Sequence, residues 1–377
     1  MKKLRVAFCL RDMQVGGVEY VLIRTLDKLL EYKNITVSVI TYVDIKTPVY
    51  REYFNAHPQI KMYSLYPCRW LGTKLPHFFL WRLLILGARK IYRDFKRLFI
   101  LKKFKNFDVF IDYHDFGFHD ELRFVGNAKK IAWFHSSVNV FKKRNFIDYV
   151  KYYDKLVVLT DDFMDEFVVK HPRFKNKITR IYNPIDIEQT KEKSLAKNLV
   201  NGKYFCCVSR MTPDKDIETV IRAFDLFWKK NNQPDIKMVF AGDGNRAQYY
   251  KSLADNFNAK KQFVFMGAMS NPLCVMRGAM ANILSSFNEG LPTVLIESMI
   301  VGTINIASNC KCGPREILLD GDAGLLFESG NVQQLAQCMD DVYNKNVDIK
   351  KMTTNATKSL NRFNADKIVG DVISLIS

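Results

Sequence analysis

The stretch Ser285-Ser-Phe-Asn-Glu-Gly-Leu-Pro-Thr-Val-Leu-Ile-Glu297 decides how this chain is read. It begins at the end of a short segment, 282–285, that reads as a strand, and its Gly290-Leu291-Pro292 opens a helical pattern that continues to Val301. Proline suits the first helical turn, where an N–H would have no partner. A strand that passes through a loop into a helix is the repeating unit of a doubly wound α/β sheet, and it aims loop amides and the helix start at an oxygen-rich ligand above the strand ends. Glu289 and Glu297 are too far apart to share one helical turn, so they suit two parts of one extended ligand, such as hydroxyls of two different sugars.

The same alternation extends in both directions. Toward the C-terminus a strand is expected at 304–307. Toward the N-terminus, strands are expected at 204–209, 237–241 and 262–266, with helices at 218–230, up to about 256, and near 272–280. Asn183-Pro184 and the polar run Glu188 to Asn198 read as a linker. Before it, strands at 4–10, 36–42, 109–112, 130–134, 155–159 and 178–181 and a helix at 18–30 form a second set of βαβ units. The expected architecture is α/β, two Rossmann-like doubly wound domains facing a cleft. The first covers 1–187, the linker 188–200 and the second domain 201–357, with a C-terminal helix at 358–377 crossing back to the first. No fixed-period repeat is visible, which excludes a solenoid.

The motifs resemble a known family. The chain looks like a GT-B glycosyltransferase of the large retaining family 4, the glycosyl transferases group 1, whose E-x7-E signature matches Glu289 and Glu297. The resemblance implies that Glu289, with the following loop amides of Gly290 and Leu291, holds hydroxyls of a donor sugar, and that Glu297 bonds the nucleotide ribose. Arg210 and Lys215 in Ser209-Arg-Met-Thr-Pro-Asp-Lys215 resemble the pair that clamps a donor diphosphate. Two fixed cations suit a leaving nucleoside diphosphate, whose charge grows in the transition state. Met269 occupies the place where the family meets the base, Ala241-Gly-Asp-Gly244 resembles a strand-end turn, and Gly16-Gly17 resembles the loop that approaches the donor phosphates. His135 resembles a family histidine near the reacting centre. Two departures stand out: Gly302-Thr-Ile-Asn-Ile-Ala307 replaces a Gly-x-Pro-Val-Ile-Ala pattern, and Cys312-Gly313 replaces a glycine pair.

The resemblance implies a retaining transfer of a hexose or N-acetylhexosamine from a nucleotide-diphosphate sugar, UDP-linked by expectation. The acceptor would be a glycolipid, lipopolysaccharide or capsule-type polysaccharide, and the reaction needs no metal and no other cofactor. Asp112-Tyr-His-Asp-Phe-Gly-Phe-His-Asp120 carries two histidines and three aspartates, but acceptor-pocket lining is the reading favoured over metal binding. Cys310-Lys-Cys312 lacks the second pair that a four-ligand zinc site requires.

Composition sets the partners. The 377 residues carry 57 Lys+Arg and 39 Asp+Glu, a net charge of +18, yet +15 of it lies in residues 1–187 and +11 in residues 61–105. With Gly at 18, Pro at 11 and 48 % hydrophobic residues, collagen and wholesale disorder are excluded. No run of eighteen apolar residues occurs, and the first apolar run is a strand, not a signal peptide. Within the basic segment 61–105, residues 75–104 interleave aromatics with arginines and lysines and are expected as an amphipathic helix on an anionic membrane surface. Eight cysteines without paired spacing fit reduced thiols. The expectation is thus a cytoplasmic protein, peripheral on the inner face of the membrane. The rival readings are a non-catalytic sugar-nucleotide-binding homologue and a basic nucleic-acid-binding protein. No recognition motif supports the latter, so no nucleic-acid partner is expected.

Overall fold

The computed structural model describes residues 3–14, 16–66, 91–92, 94–135 and 146–377. The chain divides into two compact units. One comprises Met1–Val158, Phe167–Ile181 and Val369–Ser377, and the other Leu159–Glu166 and Tyr182–Ile368.

The first unit is built on strands β1 (Leu4–Leu10), β2 (Ile35–Val43), β3 (Lys61–Tyr66), β4 (Val109–Asp112), β5 (Lys129–Trp133), β6 (Lys155–Val158) and β7 (Ile178–Arg180). They form one parallel sheet in the order β3-β2-β1-β4-β5-β6-β7. The central strands are buried on both faces, which explains why Val6–Leu10 and Val109–Ile111 read as unbroken apolar runs. The helix Ala365–Ile376 reaches this unit with its second half, where Lys129 donates to the Leu375 carbonyl (2.5 Å).

The second unit holds β8 (Lys203–Val208), β9 (Ile236–Ala241), β10 (Phe263–Gly267), β11 (Asn282–Leu284), β12 (Asn305–Ser308) and β13 (Leu325–Phe327), parallel in the order β10-β9-β8-β11-β12-β13. One face packs on the helix Ile217–Lys230, whose Val220, Ile221, Phe224 and Phe227 join Phe205 and Phe240 in the core.

Two expectations need correction. Residues 188–200 are not simply a linker: Ile187–Ser194 is a helix, capped where Gln189 N–H donates to the Asp186 carboxylate (2.9 Å). Its polar sequence concealed the fact that the small side chains of Thr190 and Ser194 are the buried ones. The basic segment 61–105 also holds a strand that was not expected, ahead of the helix expected at 75–104. It begins as the edge strand β3, and helical structure is described over 94–103; residues 67–90 and 93 lie outside the described residues.

The departure at Asn305 has a physical reason. Asn305 is fully buried, accepts from the Asn282 amide (2.9 Å) and donates to the Leu295 carbonyl (3.0 Å), tying β11 and β12 to the helix Thr293–Ile300. Asn305→Val should cost about 1–3 kcal/mol by stranding the Asn282 amide and the Leu295 carbonyl. In chemical denaturation, Asn282→Val combined with Asn305→Val should be less destabilised than the sum of the single variants. Additive losses would mean that the two amides do not act as a pair.

Candidate active site

Three loops of the second unit meet at the carboxyl ends of its strands. After β8, Ser209 N–H donates to the Ala241 carbonyl (3.1 Å) and Met211 N–H to Asp243 (3.0 Å), so the loops that follow β8 and β9 run together. Gly242 makes this approach possible: its φ is +142°, and a Cβ there would lie 1.9 Å from the Ser209 carbonyl oxygen. The turn at Ala241–Gly244 is therefore structural.

The loop after β11 joins them. Ser285 Oγ donates to the Lys215 carbonyl (2.7 Å), and Phe287 N–H to the Asp214 carbonyl (2.9 Å). These bonds bring Lys215 Nζ to 2.6 Å from Glu289 Oε1, which also accepts from Ser286 Oγ at 2.6 Å. The Lys215 and Glu289 side chains are only 14 % and 11 % exposed, so the pair is shielded from solvent screening while staying open at one edge. Asp216 closes the segment in the left-handed conformation and caps the helix Ile217–Lys230 by accepting from Thr219 N–H.

Pro292 is the residue immediately before the helix Thr293–Ile300, and Glu297 lies half-buried in that helix's second turn. Gly290 is half-buried and Leu291 is buried. The loop after β12 supports them: a Cβ at Gly313 would lie 2.5 Å from Pro292 Cδ and 2.7 Å from the Gly290 carbonyl oxygen, and φ there is +92°. Cys312, where the family has glycine, also takes a positive φ, of 65°. Gly313→Ala should displace the Gly290–Pro292 loop and cost about 1–3 kcal/mol of stability. Thermal unfolding checks it, and a wild-type melting temperature would refute the tight fit. Burial pushes the Cys310 thiol up to about 12, so it stays protonated near neutrality.

Of the remaining residues singled out here, Arg210 is exposed on the loop after β8, and no carboxylate among the described residues pairs with it. Met269 is partly buried beyond β10, packed on the cluster of Tyr204, Cys206 and Val239. Gly16, Gly17 and His135 belong to the first unit. Gly16 is extended (φ −166°) at the start of the helix Gly17–Leu29, and a Cβ at Gly17 would meet nothing within 4 Å. Neither glycine is forced by backbone conformation; the space at Gly17 is open, whereas a Cβ at Gly16 would lie 2.7 Å from Glu19 Oε2.

His135 follows β5 and packs on Tyr113 (ring centroids 4.4 Å) and Trp133 (6.3 Å). Burial, with His114 nearby, lowers its pKa to about 3, and its buried Nε2 has no hydrogen-bond partner among the described residues. It is a neutral imidazole at any working pH. Below about pH 6.5 the unfolded chain takes up a proton that the folded His135 refuses, so stability falls as pH drops from there toward 3. His135→Gln should remove this dependence, gaining on wild type by on the order of 1–2 kcal/mol between pH 7 and pH 5 in denaturant titrations. Parallel wild-type and variant curves would contradict the assignment.

The Asp112–Asp120 cluster is divided. Asp112 is buried and accepts from Tyr153 Oη (2.7 Å) and Phe118 N–H (2.9 Å), and burial raises its pKa to about 6. Asp115 accepts from the backbone N–H of His135 (3.0 Å). Among the described residues no three ligating side chains converge as a metal site. Instead Asp115, His119 and Asp120, with Arg11, Tyr42 and Tyr149, line a cavity of about 530 Å³.

With this geometry in view, residues 188–359 match the family model for glycosyl transferases group 1. Residues 188–359 belong to this glycosyltransferase group. The chain is 25 % identical over 388 residues to the GalNAc-alpha-(1->4)-GalNAc-alpha-(1->3)-diNAcBac-PP-undecaprenol alpha-1,4-N-acetyl-D-galactosaminyltransferase of Campylobacter jejuni, covering 99 % of this chain and 98 % of that one. It is also 25 % identical over 251 residues to an uncharacterized glycosyltransferase of Methanocaldococcus jannaschii, covering 60 % of this chain and 61 % of the relative. Among solved structures, Anabaena Alr3699/HepE in complex with UDP matches with a TM-score of 0.76 at 16 % identity, over 99 % of each chain. The fold of this glycosyltransferase is GT-B, with two parallel-sheet Rossmann-like units.

Sequence reasoning gave Lys215 and Glu289 separate duties and missed that they touch. It also passed over Ser285 and Ser286. A serine pair at a strand's end, just before an acidic residue, was the available signal, because short hydroxyl side chains there fasten neighbouring loops.

Proposed function

We propose that this glycosyltransferase transfers a hexose or N-acetylhexosamine from a UDP-sugar, with retention of configuration, to a lipid-linked or cell-surface polysaccharide or lipopolysaccharide acceptor. The reading is carried by the Lys215–Glu289 pair, a cation and a carboxylate held 2.6 Å apart at strand ends. Lys215 and Arg210 neutralise the departing diphosphate. Glu289 and the amides of Gly290 and Leu291 hold the sugar, Glu297 the ribose, and Met269 lies at the base. Gly16 and Gly17 admit the phosphates, and His135 meets the sugar as an uncharged imidazole.

No carboxylate is assigned as a nucleophile. The bond from the anomeric carbon to the phosphate oxygen breaks as the acceptor oxygen bonds on the same face, and the acceptor's proton passes to the departing phosphate oxygen. Positioning and stabilisation of the leaving group supply the rate enhancement, without a metal. The UDP complex of the Anabaena structure favours a UDP donor, and the undecaprenol diphosphate named for the Campylobacter relative favours a lipid-linked acceptor. We place the protein in the cytoplasm, at the inner face of the membrane, with segment 61–105 toward anionic lipid; among the described residues no helix is long and apolar enough to cross a membrane.

Retention is tested with water as acceptor. Proton NMR during hydrolysis of an α-linked UDP-sugar should show the α-anomer of the free sugar first, with the β-anomer appearing only by mutarotation. Initial release of the β-anomer would exclude retention.

A further inference from the structure

A cavity of about 750 Å³ lies in the first unit, over the edge strand β3 and between the helix Pro48–Ala56 and the helical residues 94–103. Four cations line it: Lys46 just beyond β2, Arg51 on the helix Pro48–Ala56, and Lys96 and Lys103 on the basic helix. Asp44 is the single acidic side chain in the lining. Among the described residues none of the four cations is ion-paired with a carboxylate. Lys103 Nζ sits 4.7 Å from the Tyr63 ring centroid and 4.8 Å from that of Phe99, and Lys96 Nζ 4.9 Å from that of Tyr92. Two cations are thus steered by aromatic faces, with their capacity to bond an anion unspent.

The basic helix is held in one orientation. Arg97 pairs with the buried carboxylate of Glu121 (3.0 Å) and lies over the Tyr66 ring. In that orientation Ile91, Phe95, Leu98 and Phe99 are 73, 70, 53 and 58 % exposed, spaced as one stripe. Phe99 belongs both to the stripe and to the cavity wall, so a cationic pocket opens beside an uncovered apolar ridge. An anion with a hydrocarbon tail matches both features.

We propose that this cavity is a phospholipid headgroup site. Lys46, Arg51, Lys96 and Lys103 hold the phosphate of an anionic membrane lipid while Phe95 and Leu98 enter the acyl region. The proposal deepens the membrane-facing reading above and rests on it. It adds that two of the phosphate ligands, Lys46 and Arg51, lie outside the basic segment altogether.

The test is co-sedimentation of the full-length protein with phosphatidylcholine vesicles, with and without phosphatidylglycerol. Wild type should bind the anionic vesicles and not the neutral ones. Each cation at a charged bilayer surface contributes roughly a fivefold gain in affinity, so Lys46→Ala with Arg51→Ala should bind roughly 25-fold more weakly. The charge-matched control Lys350→Ala with Lys351→Ala, on an exposed helix of the second unit, should stay within about twofold because it removes no cation at the bilayer surface. Phe95→Ser with Leu98→Ser should also weaken binding. All variants should keep wild-type unfolding temperatures and wild-type hydrolysis of the UDP-sugar in vesicle-free solution.

If wild type binds anionic vesicles and the Lys46/Arg51 variant binds them equally well, the cavity assignment is overturned and the membrane reading survives. If wild type ignores anionic vesicles, both fall. Inorganic phosphate that binds wild type without vesicles as tightly as the vesicles do, by a signal lost in the Lys46/Arg51 variant, would make this a free-anion site and overturn the lipid assignment.

Discussion

Glu289→Gln should lower turnover of the UDP-sugar by about 10²- to 10³-fold while leaving affinity for UDP within a few-fold of wild type. The substitution keeps the shape of the side chain and can still accept from Ser286 Oγ, so the loop after β11 should hold its place. What it removes is the negative charge facing Lys215 at 2.6 Å and one acceptor for sugar hydroxyls. UDP carries no sugar, so its affinity reports the diphosphate and nucleoside contacts alone. A variant that loses UDP affinity and turnover in parallel would place Glu289 at the nucleotide instead.

Lys215→Met should be comparably damaging with a different signature. It removes a cation proposed to face the departing diphosphate and leaves Glu289, 11 % exposed, without its counter-charge. Turnover should fall about 10²- to 10³-fold, UDP should bind more weakly, and the fold should lose about 1–3 kcal/mol from the stranded carboxylate. The backbone carbonyl of Lys215 still accepts from Ser285, so the loop itself should persist. Combining Lys215→Met with Glu289→Gln should restore most of the lost stability without restoring turnover, because no buried charge is then unpaired. Continued loss of stability in the double variant would show that the pair does not act as a unit.

How much of this was legible depends on what each residue reports locally. The central strands were readable because burial on both faces forces apolar runs such as Leu4–Leu10 and Val109–Asp112. The edge strand Lys61–Tyr66 was hidden because an edge tolerates polar and basic side chains, and those charges merged it with the basic run behind it. The helix Ile187–Ser194 was hidden for a related reason: the residues it buries are threonine and serine, which carry no hydrophobic period. Leu325–Phe327 was too short to show a period at all.

At the site, Glu289 and Glu297 were legible from a motif confined to thirteen residues, whereas the contact between Lys215 and Glu289 spans 74 positions and is made by bonds from the Ser285 hydroxyl and the Phe287 N–H to the Lys215 and Asp214 carbonyls. Asn305 read as a departure in a strand pattern, and its partner Asn282, 23 positions earlier, carried no mark of the pairing. A sequence reports what a side chain can do. Which groups converge depends on loop bonds and on glycines such as Gly242 and Gly313, whose role appears only when the opposing backbone is in place.

The most direct test of the central claim is nucleotide release by the purified protein from a panel of UDP-, GDP- and ADP-linked hexoses and N-acetylhexosamines, with water as the only acceptor. UDP should be released from at least one UDP-sugar above the buffer rate, release from GDP- and ADP-sugars should stay at background, and Glu289→Gln should cut the signal by about 10²- to 10³-fold. Protein that binds UDP yet releases no nucleotide from any sugar, or a Glu289→Gln variant as active as wild type, would contradict it.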